Sequence, residues 1–269
     1  MKWILLSTAV LAVAASCGKK PKVLVLYYSQ TSTTKVVAEE LAARMGAAIE
    51  AIQLVEPYDG TYQETIERSA QEKEAGNYPA IEPLKADVSK YDVVFLGYPV
   101  WFGTFANPIF TLLDQVDFSG KKVVPFCTFG SGGLESSSKD MAAKLKNSQV
   151  MPGYGVRQAR IEAAPAEIDR FLKENGYIAG KVEPLPPFSE MQKVTDIDLA
   201  IFSGAVRDYP MIQALPVNVA SRKIPGGTEY CFKAMSIPRP GVPGGGMQAM
   251  TIYVNDMEDG TTDFTRVVR

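Results

Sequence analysis

Val23–Tyr28 (VLVLYY) is an unbroken apolar and aromatic run that leads, through six polar residues, directly into a helix. A strand with one wet face alternates apolar and polar residues; a run without alternation is the pattern of a strand buried on both faces of a parallel sheet. Val37, Leu41 and Met45 then repeat at helical spacing, and Gly46 is placed to stop that helix. Asp92–Tyr98 (DVVFLGY) and Lys122–Cys127 (KVVPFC) repeat the arrangement, each followed by a loop and a helical pattern. Strands alternating with helices predict a doubly wound α/β domain, its parallel sheet wound by right-handed crossovers.

Five strands are expected, near Lys22–Tyr28, Ala48–Leu54, Asp92–Tyr98, Lys122–Cys127 and Val150–Val156. Helices are expected near Thr33–Met45, Thr61–Ala75, Pro108–Val116, Glu135–Leu145 and Pro165–Asn175. Asn107-Pro108 reads as helix cap and first helical residue, Pro165 suits a first helical position, and Gly176 ends the last helix.

The loop after the first strand, Ser29, Gln30, Thr31, Ser32, Thr33 and Thr34, is dense in short hydroxyls. Free backbone N–H groups at a helix start, surrounded by hydroxyls, form a site for a phosphate. The loop has neither GxGxxG nor a Lys-Ser/Thr pair after GxxxxG, so it is not a dinucleotide fingerprint or a nucleoside-triphosphate loop. A well-capped turn between strand and helix would read the same way on its own.

The spacing Ser29-x-Thr31-x-x-Thr34 resembles the phosphate loop of the flavodoxin family, S/T-x-T-G-x-T, which binds flavin mononucleotide (FMN). Ser32 stands where that family has glycine, a substitution that costs free energy if the position needs positive φ. Two later loops carry the resemblance further. Pro99, Val100, Trp101, Phe102, Gly103 and Thr104 are similar to the family's P-x-W-[WYF]-G loop, which lays an aromatic ring on the isoalloxazine. Thr128, Phe129, Gly130 and Ser131, followed by Gly132 and Gly133, are similar to its third flavin-contacting loop. Phe129 reads either as a second aromatic neighbour of the flavin or as a loop anchor. The resemblance spans about Lys22–Tyr177 and implies strand order 2-1-3-4-5, with Pro57–Pro83 as an insertion flanking the site.

Composition narrows the chemistry. The chain has no histidine, which excludes Ser-His-Asp triads, Cys-His nucleophiles and histidine-built zinc sites. Three cysteines make neither a zinc cluster nor a disulfide framework, and Cys127 and Cys231 are expected to be inert, unbridged thiols. A bound organic cofactor is the remaining carrier of chemistry, and the resemblance supplies one in FMN. Net charge is −2 with no long basic run, so no nucleic-acid partner is expected. Strongly acidic soluble electron shuttles are steered by their charge to basic partners; this near-neutral chain lacks that feature.

Met1–Ser16 has the layout of a secretory signal, with Lys2, an apolar run from Trp3 to Ala15, and small residues at its end. Ala14-Ala15-Ser16-Cys17-Gly18 is similar to a bacterial lipoprotein box. It implies a chain held at the cell envelope by lipid on Cys17, with simple secretion as the alternative. Residues 1–17 are thus read as signal, 21–180 as the α/β domain and 189–269 as a second domain.

Between the two, Lys181–Phe188 (KVEPLPPF) is a stiff proline-rich linker. Beyond it Asp196–Tyr209 has helical spacing, with Leu199, Phe202 and Val206 on one side, and Ala214–Ser221, Thr228–Ile237 and Met247–Asn255 read as strands. This small α+β unit is similar to the cystatin-like fold, with Lys223-Ile224-Pro225-Gly226-Gly227 in place of that family's Q-V-V-A-G turn.

The resemblances imply an FMN-binding protein of electron transfer, working either as a carrier or as a flavin-dependent oxidoreductase. Its partner would be a redox protein or a small-molecule electron acceptor. Two alternatives stay open: an FMN-dependent NAD(P)H reductase of quinone-type acceptors, and a binding or inhibitor-like module with a degenerate flavin site.

Overall fold

Alternate residues of β1 (Val23–Tyr27) enter two different cores. Leu24 and Leu26 pack on one face of the sheet and Val25 and Tyr27 on the other, which is why the run shows no polar alternation. The protein is described by a computed structural model covering residues 20–237 and 247–269. The signal segment and Cys17 lie outside the described residues.

α1 (Thr33–Met45) follows, then β2 (Ala48–Ala51), α2 (Tyr62–Ala75) and β3 (Val93–Trp101). The short β4 (Thr104–Phe105) precedes α3 (Asn107–Gln115), β5 (Lys122–Phe129) and α4 (Leu134–Lys144). β6 (Gln149–Val150), β7 (Tyr154–Arg157) and α5 (Ala164–Glu174) complete the first unit. The parallel sheet runs β2-β1-β3-β5-β6, with β7 also on β5, which is the 2-1-3-4-5 order once β6 and β7 count as one interrupted strand. Val37 and Leu41 of α1 pack with Ile168 and Leu172 of α5 on one face; Ile109 and Leu112 of α3 pack with Met141 of α4 on the other.

Four expectations are corrected in detail. Strand two ends at Ala51; Leu54 leaves the parallel sheet and bridges Ile81 in the insertion, with Val55 donating to the Ala80 carbonyl. Strand five is split by Met151-Pro152-Gly153. The pairing with β5 shifts register across the break, from Val123 with Val150 to Phe126 with Tyr154, Pro125 has no N–H to give the ladder, and an added Cβ on Gly153 would meet the Pro125 carbonyl at 2.4 Å. Strand three does not stop at Tyr98 but continues to Trp101 and turns back as a hairpin with β4. Asn107 does not cap α3: Ala106 does, and the Asn107 amide instead donates to the Ser69 carbonyl and Glu72 Oε2, both at 2.9 Å.

The second unit holds β8 (Gln192–Lys193), α6 (Asp196–Val206), β9 (Ala214–Ile224), β10 (Gly227–Ser236), β11 (Ala249–Met257) and β12 (Thr262–Val268). Its five-stranded antiparallel sheet runs β12-β11-β10-β9-β8. α6 buries Asp198, Phe202 and Ala205 while Leu199 stays exposed, so the stripe lies to one side of the expected one. Asp198 is turned inward by its capping box with Thr195. Both edge strands, β8 and β12, lie outside the three expected strands.

Candidate functional site

The carboxyl ends of β1, β3 and β5 lie side by side, and each carries one of the three loops singled out above. Side chains tie the loops together. Thr34 Oγ1 and Thr128 Oγ1, both buried, share a hydrogen bond of 2.8 Å between the first and third loops. The Trp101 ring of the second loop stands edge-on to Tyr28 of the first, with centroids 5.9 Å apart. Ser136, at the start of α4 behind the third loop, donates its hydroxyl to the Gly103 carbonyl at 2.6 Å.

The first loop ends at an open helix start. α2 and α6 are both closed by capping boxes, Thr61 with Glu64 and Thr195 with Asp198. α1 has Ser32 at its cap position with φ 64° and no capping hydrogen bond from its side chain. The amides at the head of α1 have no carbonyl four residues earlier within the helix, and the helix dipole favours an anion there. Ser29 Oγ accepts from the Lys35 amide at 3.2 Å, and Thr31 and Thr33 hydroxyls are 3.3 Å apart at the loop surface. Ser32 therefore does sit in the left-handed conformation natural to glycine, and the loop forms around it. Gln30 turns away: its Nε2 amide donates to the Tyr58 carbonyl at 2.9 Å and its Oε1 accepts from the Tyr28 hydroxyl.

In the second loop Phe102 and Gly103 form the two-residue turn of the hairpin, with φ 49° and 81°. Pro99 and Val100 belong to β3, and Val100 pairs with Phe105. Trp101 is half-buried, whereas Phe102 is 49% exposed, its carbonyl accepting from Lys73 Nζ at 3.3 Å. Thr104 Oγ1 is buried without a hydrogen-bond partner.

In the third loop Thr128 and Phe129 close β5, and both are buried. Phe129 lies against Gly155, where an added Cβ would meet its ring at 2.8 Å, so its placement matches the anchor reading and not an aromatic face open to a ligand. Gly130 is different: a Cβ there would meet nothing within 4 Å. Ser131 accepts the Val267 amide on its carbonyl at 2.6 Å, bringing β12 of the second unit onto this loop.

Sequence reasoning missed three contributors. Tyr58, from the insertion, stands edge-on to Trp101 at 5.3 Å, and its hydroxyl donates to Glu72, which Arg68 also pairs at 2.9 Å. Tyr28 completes this aromatic group, and burial pushes the hydroxyls of both tyrosines well above their ordinary range. Together with Ser29, Ser32 and Lys35 they line a cavity of 430 Å³. Arg157, the last residue of β7, donates from Nε to the Gly130 carbonyl at 2.8 Å, placing a buried cation behind a loop that itself contains none. The signal available in sequence was only that a charged residue ends an apolar strand beside that loop.

A family model described as Flavodoxin matches residues 22–170. Among solved structures, a candidate flavoprotein from Bacteroides eggerthii DSM 20697 is 30% identical over 55% of this chain and 98% of its own, with a TM-score of 0.47. One from Bacteroides uniformis ATCC 8492 is 26% identical over 56% of this chain and 99% of its own, with a TM-score of 0.50. A flavoprotein from Lactobacillus acidophilus NCFM, solved in complex with FMN, is 26% identical over 54% and 99%, with a TM-score of 0.46. A comparison with curated proteins finds no match. With that family's model matched over more than half of its residues and the doubly wound sheet in place beneath the three loops, the chain belongs to the flavodoxin family.

Proposed function

We propose that this chain binds FMN on its three loops and transfers electrons at the bacterial cell envelope. The observation that carries the reading is the convergence of the loops, tied at Thr34 and Thr128, around a hydroxyl-rich helix start that the Ser32 side chain does not cap. The residues fit the group. Ser29, Thr31, Thr33 and the leading amides of α1 match a phosphomonoester, which neutral donors and a helix dipole can solvate together. Trp101, Phe102, Gly103 and the open flank of Gly130 offer an apolar, partly exposed setting for a planar ring. The orphaned Thr104 hydroxyl leaves a polar atom in the second loop to be satisfied.

When bound, FMN supplies one- and two-electron redox chemistry. The protein's part is to hold the phosphate, shield one side of the ring and set the charge around it. Among the described residues no cluster of metal-binding side chains offers a rival centre, and no helix is long and apolar enough to cross a membrane. Envelope attachment rests on the lipoprotein-like segment ending at Cys17. The second domain, of the helix-and-sheet type that resembles cystatins, acts as a docking or structural module. The electron partner is a redox protein or a small-molecule acceptor.

The visible spectrum of the purified protein tests the cofactor. Flavin absorbance as isolated, or after adding FMN, is the expected result. Absence of flavin absorbance together with failure to take up added FMN would overturn the reading.

A further inference from the structure

Beside the third loop, between the two domains, lies a cavity of 690 Å³ open to solvent. Arg157 forms part of its wall and is only 2% exposed. Its guanidinium lies against the rings of Tyr209 and Phe264, 3.9 and 4.3 Å from their centroids, the two rings themselves packing at 5.4 Å. Nε and Nη1 donate to the carbonyls of Gly130 and Phe264 at 2.8 and 2.6 Å. Nη2 has no hydrogen-bond partner among the described residues, and no described carboxylate lies within ion-pair distance.

The nearby acids are otherwise engaged. Glu167 and Asp263 both pair with Arg160. Asp208 also lines the cavity but is exposed. A buried guanidinium without a counter-charge is expensive, because neutral carbonyls and ring faces replace only part of its hydration. The Ser131 hydroxyl, also on the wall, makes no hydrogen bond among the described residues, and Ile212 and the two rings supply apolar surface. Apolar walls with a few convergent polar groups at this volume are the ordinary build of a small-ligand site.

We propose that this cavity binds a small organic anion, a carboxylate on a compact apolar body, with Arg157 as its counter-charge and the Ser131 hydroxyl as a second donor. The Gly130–Ser131 backbone is a wall shared with the candidate flavin site, but the anion site requires no flavin and goes beyond that reading.

Fluorine NMR of the full two-domain chain, with and without FMN, tests it. The probe is 4-fluorobenzoate, with 4-fluorobenzamide as its neutral isostere. The benzoate signal should broaden saturably with a Kd of about 1 mM or tighter, the benzamide binding at least about tenfold more weakly. Asp208→Asn should tighten benzoate roughly two- to threefold by removing a like charge at the rim. Arg157→Met, its fold checked by circular dichroism, should abolish binding, and Ile212→Glu should do the same if the Arg157 variant fails to fold. No saturable broadening, equal binding of the amide, or binding that survives Arg157→Met would overturn the proposal and leave Arg157 as a staple between domains. FMN uptake is read separately by absorbance, so failure of either site is seen independently of the other.

Discussion

The Val267 amide donates to the Ser131 carbonyl across 2.6 Å, so an edge strand of the second domain holds the third loop of the first. At the neighbouring residue the two backbones touch: a Cβ added to Gly132 would lie 2.1 Å from the Val267 carbonyl oxygen. Ion pairs of Arg160 with Asp263 and of Arg266 with Glu135, the latter at 3.7 Å, flank this contact. The second domain is therefore packed on the site's scaffold.

Gly132→Ala should force that contact apart. Overpacking of this kind costs about 1–3 kcal/mol, because backbone on both sides must shift. Urea unfolding should show the loss, and limited proteolysis should cut between the domains faster than in the parent chain.

Arg157→Met strips two charge-assisted hydrogen bonds and leaves the carbonyls of Gly130 and Phe264 unpaired. A loss of roughly 2–4 kcal/mol is expected. With FMN bound, removing this cation should also lower the reduction potential, since nearby positive charge favours the more negative reduced flavin. Spectroelectrochemistry reads the direction; an unchanged or raised potential contradicts it.

Ser32→Gly should stabilise the protein. Serine at φ 64° is strained and its hydroxyl caps nothing, while the greater freedom of glycine in the unfolded chain offsets part of the gain. A net rise of about 0.5–1 kcal/mol is expected, with FMN affinity equal or tighter. A fall in stability would show that the Ser32 side chain has a role its contacts do not reveal.

Thr34→Val or Thr128→Val alone leaves one buried hydroxyl without its partner, at a cost of about 1–2 kcal/mol. The double variant should recover much of that loss, because both halves of the pair are then apolar. A thermal or urea double-mutant cycle measures the coupling, and strict additivity would show the bond to be immaterial.

The Glu64 carboxylate accepts from the Thr61 amide at 2.6 Å, which holds its pKa below the ordinary value of 4.5; its hydrogen bond to the Thr61 hydroxyl adds to this. A lowered folded-state pKa contributes stability that is full above the unfolded value and is lost as pH falls through the folded one. Glu64→Gln should therefore differ from the parent at neutral pH and converge with it in the acid limb, as followed by urea unfolding across pH.

Much of the first domain is legible because its cues are local. Val23–Tyr28, Val37-Leu41-Met45 and Gly46 report burial, period and stop signal within a single segment, and α1 spans the expected Thr33–Met45. The three loops could be located because each follows such a strand. Departures arise where a segment's partner lies far away. The break in strand five depends on Gly153 lying against the Pro125 carbonyl, and the early end of strand two depends on Ile81 claiming Leu54.

The same division runs through the site. The residues able to meet a phosphate, and the exclusion of histidine chemistry, follow from the chain as written. Tyr58 against Trp101, Phe129 turned inward and Arg157 behind Gly130 do not, because each is a contact between segments whose separation in sequence carries no distance information. Local pattern sets which backbone conformations are cheap; packing of distant elements sets which side chains meet, and it is there that a neutral loop acquires its buried cation.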